Sequence, residues 1–203
     1  MNNLNPLKQQ IRRAVLIVAL ANLAYFFVEF QVAQNIGSVS LFADSIDFLE
    51  DTAVNLLIFV AFGWSLKMRS FVGMFLALIL LIPAVFMLWM AWQKFNLPIA
   101  PDPWILSVTG LGALVVNLGC AFLLARFRNH NDSLTRAAFL SARNDALANI
   151  AIILAGFVTL YWYSGWPDLI TGIGIAVLNA DAAKSVWDTA QQEQVSAKKL
   201  TRP

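Results

Sequence analysis

The sequence predicts an all-α polytopic membrane protein with six transmembrane helices and both termini cytoplasmic. Three observations predict it. Long apolar runs recur along the 203 residues. Hydrophobic residues make up 59% of the chain and charged residues only 13%, against roughly half and a quarter in soluble domains. The basic residues collect in alternate connections.

The apolar runs place helices near Ile11–Val32, Leu41–Leu66, Phe71–Trp92, Trp104–Ala125, Ala137–Trp162 and Leu169–Trp187. Each is close to the roughly 20 residues that span a bilayer core. The connections are then Ala33–Ser40, Lys67–Ser70, Gln93–Pro103, Arg126–Arg136 and Tyr163–Asp168. The first run follows a basic stretch, Lys8–Arg13, but is too long for the apolar region of a signal peptide. Residues 1–190 are expected to form the transmembrane domain and 191–203 a short polar tail, with no large soluble domain attached.

Lys8, Arg12 and Arg13 precede the first run; Lys67 and Arg69 follow the second; Arg126, Arg128 and Arg136 follow the fourth; Lys198, Lys199 and Arg202 lie in the tail. The opposite connections hold only Lys94. By the positive-inside rule both termini face the cytoplasm. Gln93–Pro103, with Pro98, Pro101 and Pro103, reads as an extended outer loop. Several of the seven Trp residues lie near run ends, as in an interfacial belt. The single cysteine, Cys120, rules out a disulfide framework or a cysteine metal cluster within one chain.

Ionisable groups inside the hydrocarbon cost roughly 2.5–3.5 kcal/mol each on insertion scales and usually face a cavity or a partner. The second run carries Asp44, Asp47, Glu50 and Asp51. At helical spacing Asp44, Asp47 and Asp51 share one face, Asn55 extends it, and Glu50 lies to one side. In the fifth run Ser141, Asp145 and Asn149 repeat at intervals of four. Asp51 lies about ten residues, or 15 Å, below the outer surface, and Asp145 about eight, or 12 Å, above the inner one. In a core about 30 Å thick the two reach the same level, which suggests one site. The bland alternative is hydrogen-bond glue between helices; a lone Asp would fit it, three on one stripe facing a fourth fit it poorly.

Other polar positions read differently. Asp44, nearest the outer surface, reads as a gateway or helix-start residue. Glu29 suits a solvated vestibule charge and a pathway residue equally. Asn22 shares its face, and Asn117 reads as a helix–helix hydrogen bond. Arg143 points away from Asp145, toward the inner surface or Glu50. Asp181 reads as solvated or paired, and the sole histidine, His130, as an ordinary surface residue of a polar inner loop.

The stretch Ser38-Val-Ser-Leu-Phe-Ala-Asp-Ser-Ile-Asp-Phe-Leu-Glu-Asp51 resembles the second transmembrane helix of the cation diffusion facilitator family, which carries S-x-S-L-x-A-D followed by a metal-binding H/D-x-x-x-D pair, here Asp47 and Asp51. Leu134–Asp145 is similar to the family's fifth helix, where a second such pair completes a four-residue site. Asn22, Glu29, Asn117 and Trp166-Pro-Asp168 also resemble the family in place. The resemblance implies metal ligands at Asp47, Asp51 and Asp145. Ser141 stands where the family usually has His or Asp, so Asn144, Asn149 or water is a candidate for the missing donor. The cytoplasmic metal-binding domain usual in the family is not seen after the sixth run, so a homodimer is expected to form through the membrane part or the tail.

These readings converge on a proton-coupled exporter of a divalent metal in the plasma (inner) membrane of a bacterium. Crowded carboxylates in low dielectric repel one another, and a divalent cation neutralises them while displacing protons. The expected partners are metal ions, protons and the lipid bilayer, with no cofactor, nucleic acid or catalytic step. An all-oxygen site suits harder cations such as Mn²⁺; the resemblance favours Zn²⁺, with Cd²⁺, Co²⁺ or Fe²⁺ as alternatives. A transporter or channel for an organic cation is the rival reading. An intramembrane metal-dependent enzyme is a weaker one, since no His-rich or nucleophile motif supports it.

Overall fold

The computed structural model describes residues 6–61, 68, 71, 85–126 and 133–178, with side-chain surroundings for 9–60, 68, 71, 85–126 and 142–178. Among the described residues all regular structure is helical: α1 (Pro6–Ile36), α2 (Val39–Ala61), α3 (85–96), α4 (Pro103–Ala125), α5 (Ser133–Tyr161) and α6 (Trp166–Leu178). Much of the third expected span, the end of the second and the end of the sixth lie outside the described residues, as do Asp181 and His130.

Gln9–Ile36, Pro103–Ala125 and Ala142–Tyr161 are long and apolar enough to cross a bilayer. α2 matches α4 in length, at 23 residues, but its four acids interrupt the apolar run. Its anomaly is chemical rather than geometric.

Local chemistry explains the helix ends. Asp102 caps α4: its carboxylate accepts from the backbone N–H groups of Trp104 and Ile105, both at 2.9 Å, with Pro103 in the first turn. α1 ends at Gly37, whose φ of 64° is the left-handed conformation that glycine adopts without a Cβ penalty. Ser38 N–H then reaches back to the Ala33 carbonyl at 3.0 Å, closing a Schellman turn. The expected connection Ala33–Ser40 therefore shrinks to two residues, Gly37 and Ser38, because this turn lets α2 start at once.

α1 packs on α2, α2 on α5, α5 on α4 and α4 on α1, so four helices form a closed ring. Its exterior is apolar: Trp104, Val108, Leu111, Val115, Leu118 and Phe122 of α4 are all exposed. Its interior is polar, with Asn22, Glu29, Asp44, Asn55, Asn117 and Asn149 almost wholly buried. A water-soluble bundle has the reverse arrangement; a lipid-facing surface accounts for this one. Two apolar clusters bracket the polar layer. Ile11, Val15, Val18, Ile58 and Leu124 close one end, and Leu41, Phe42, Leu106 and Ile152 the other.

α3 and α6 dock where α2 begins. Phe95 meets Trp166 edge-on at 5.7 Å. At Gly172 a Cβ would lie 2.7 Å from the Val39 backbone carbon, so the absence of a side chain lets α6 cross α2 at backbone contact.

Candidate functional site

The ring brings the two acidic stripes together. Asp44, Asp47, Glu50 and Asp51 on α2 and Asp145 on α5 are all buried. α2 packs against α5, and Asp145 lies within electrostatic reach of Asp47. Among the described residues, no three His, Cys, Asp or Glu side chains are drawn together closely enough to hold a metal ion. The side chain of Ser141 lies outside those residues.

Asn22 of α1 joins the centre from the third side. Its Nδ2 donates to Asp51 Oδ2 at 3.3 Å, and its Oδ1 accepts the Cys120 thiol at 3.7 Å. A carboxylate that accepts a fixed amide donor keeps its orientation, as outer partners of metal ligands do. Asn55, one turn beyond Asp51, instead donates to the Asp51 backbone carbonyl at 2.8 Å.

Asn149, the candidate oxygen donor, links two neighbouring helices. Its Oδ1 accepts from Asn117 Nδ2 at 2.9 Å, and its Nδ2 donates to Asp44 Oδ2. Each end of the amide makes a hydrogen bond within the protein, so Asn149 bridges α4 to α2. Asn117 makes the interhelical hydrogen bond expected of it. Asp44 is no gateway residue, because it is fully buried and held by this bridge. The vestibule reading of Glu29 also fails: the residue is 0% exposed. Arg143, by contrast, is exposed.

A second polar centre lies at the start of α2. Asp168 at the head of α6 accepts from Ser38 Oγ at 2.6 Å, Ser40 Oγ at 2.6 Å, Val39 N–H at 2.8 Å and Ser40 N–H at 3.1 Å. Lys94 Nζ of α3 binds the same carboxylate at 2.7 Å and the Gly37 carbonyl at 2.6 Å. Ser38 Oγ also accepts from Leu41 N–H at 3.1 Å. The first three N–H groups of α2 are thereby satisfied, two of them by an anion at the positive end of the helix. Lys94, read from sequence as a charge of the outer loop, is buried in this clamp because it needs Asp168 as counter-ion. Sequence reasoning noticed Ser38, Ser40 and Asp168 only through the family resemblance; their chemistry as cap donors and acceptor was the missed signal.

The comparisons with known proteins bear on this geometry. Residues 15–191 match the model of the cation efflux transmembrane domain, which covers most of the chain. The chain belongs to the cation diffusion facilitator family. It is an integral membrane protein of that all-helical class. Two relatives, each named zinc transporter ZitB, come from Escherichia coli K12 and Shigella flexneri. Each is 25% identical over 166 residues, covering 74% of this chain and 51% of the relative. The chain thus spans about half the length of these relatives.

Proposed function

We propose that this cation diffusion facilitator exports a zinc-like divalent transition metal from the cytoplasm in exchange for protons. The observation that carries the reading is a facing pair of buried acidic stripes, Asp47 and Asp51 on α2 and Asp145 on α5, inside a ring whose exterior is apolar. Buried carboxylates in such numbers need compensating positive charge. A divalent cation supplies it compactly, and protons supply it when the metal has left. Metal and proton then compete for the same oxygens, which is the condition for exchange. Asp47, Asp51 and Asp145 are assigned as ligands, with Ser141 as a fourth position, and Asn22 orients Asp51. The apolar clusters at either end act as the two barriers that open in turn. Transport of a zinc ion by relatives of this family supports the metal class. Cytoplasmic termini, by the distribution of basic residues, a bacterial inner-membrane location and a homodimer through the transmembrane region complete the proposal.

The test is uptake of Zn²⁺, Cd²⁺ and Mn²⁺ into proteoliposomes with internal pH followed at the same time. Metal movement with opposite proton movement is expected. Asp51→Asn and Asp145→Asn should each lower flux at least tenfold while the protein still elutes as a folded species. Unchanged flux in both variants would sink the assignment of the site. Absence of flux for every metal in the folded wild type would shift the reading to an organic cation.

A further inference from the structure

Glu29 on α1 is the most unusual acid in the molecule. It is fully buried, and among the described residues neither carboxylate oxygen has a hydrogen-bond donor. On the neighbouring helix α2, Asp44 lies within hydrogen-bonding reach of it. Asp44 is also fully buried, and its Oδ1 lacks a donor. Two carboxylates have no hydrogen to share, so contact between them without any donor requires a proton or another cation between the oxygens.

The surroundings leave that role to a proton. Asp44 Oδ2 is already held by Asn149, which is held in turn by Asn117, so one face of the pair is built and rigid. Tyr25, one turn before Glu29, lies within electrostatic reach of both acids, but its hydroxyl donates to the Thr109 carbonyl at 2.6 Å. Asp47 and Asp51 extend the negative charge on α2, and no basic side chain among the described residues pairs with Glu29 or Asp44. Two carboxyl groups and an amide offer a divalent metal few donors, whereas one proton satisfies the pair outright.

We propose that Glu29 and Asp44 form a proton site separate from the three-aspartate centre, and that its proton is one of those exchanged for metal. The second half rests on the exchange reading above. Asp44 lies one helical turn from Asp47, about 4.5 Å along the axis. A cation arriving at Asp47, Asp51 and Asp145 cancels the negative field that helps to retain the proton. The shared acid then releases it, leaving two carboxylates, and recovers it when the metal departs.

Infrared spectroscopy of the full chain in bilayers, in H₂O and D₂O at neutral pH, reads the acid directly. In the metal-free wild type a protonated-carboxyl stretch is expected, and the difference spectrum of wild type minus variant should show the same component lost in both Glu29→Gln and Asp44→Asn, beside any band of the three-aspartate centre. Gln preserves shape and brings an amide donor for Asp44; if one variant fails to fold, the other carries the test. In proteoliposomes the same variants should move fewer protons per metal, while Zn²⁺ bound per chain at saturation stays unchanged. A missing wild-type band, or a band untouched by the variants, overturns the proton site. A lost band with an unchanged proton ratio overturns its place in exchange. One Zn²⁺ fewer per chain in the variants makes the pair a metal site instead. If the wild type moves metal without protons but keeps the band, the exchange reading fails and the protonated pair stands.

Discussion

Asp168 and Glu29 are both 0% exposed, yet their surroundings are opposite. Asp168 receives two hydroxyls, two backbone N–H groups and the Lys94 ammonium. Glu29 receives no donor among the described residues. A buried carboxylate with every lone pair engaged is a structural anchor, because any movement would leave several groups unsatisfied at once. One without donors is stable only while a mobile cation attends it. The clamp at the start of α2 and the acid pair deeper in the ring therefore divide the work. One end of α2 is held fast, and in the proposed function the acids along its length are the ones that attend ions.

That contrast can be broken most severely at the clamp. Asp168→Ala leaves Lys94 buried without a counter-ion and removes the acceptor for two α2 N–H groups. A loss of about 3–5 kcal/mol is expected from breaking a buried pair on one side. It should appear as a marked fall in thermal unfolding temperature and in the yield of folded protein. Lys94→Met together with Asp168→Asn should recover part of the loss; no recovery would mean that the ion pair is not what holds the clamp.

A smaller effect should separate the docking of α6 from its remaining surface. Gly172→Ala drives a Cβ toward the Val39 backbone and should cost about 1–3 kcal/mol through overpacking. Gly174→Ala meets nothing within 4 Å and should leave unfolding unchanged or slightly raised. Equal effects at the two positions would argue against the backbone contact between α6 and α2.

The mildest change lies in the ring. Asn22→Ala removes one amide donor from Asp51 without touching charge, so a loss of about 1.5 kcal/mol in orientation is expected. Zinc affinity measured by competition with a chelating dye should fall roughly tenfold, at the low end for residues that orient a metal ligand. Unfolding temperature should change little. A large drop in stability with unchanged affinity would place Asn22 among the structural anchors instead.

Much of this was legible before any coordinates. Four acids in one apolar run can only be costly or useful, and their spacing assigned Asp44, Asp47 and Asp51 to one face. The match in depth between Asp51 and Asp145 anticipated that α2 and α5 would face each other. The fate of single charges was not legible. Lys94 looked like a loop residue because it follows an apolar run and lies close to Gln93, Asn96 and Pro98, while its partner is 74 residues away. Glu29 looked equally suited to a vestibule, since nothing near it in the chain indicates burial against Asp44. Asn149 sits on the correct stripe, but its amide goes to Asn117 and Asp44.

The amino-acid order alone decides which stretches are apolar, which face of a helix carries oxygen and which ends are basic, because hydropathy and the 3.6-residue repeat are local properties. Which helices adjoin, which carboxylate receives donors and which receives none depend on contacts between residues distant in the chain. Those are settled only when the ring closes and water no longer satisfies each group by itself.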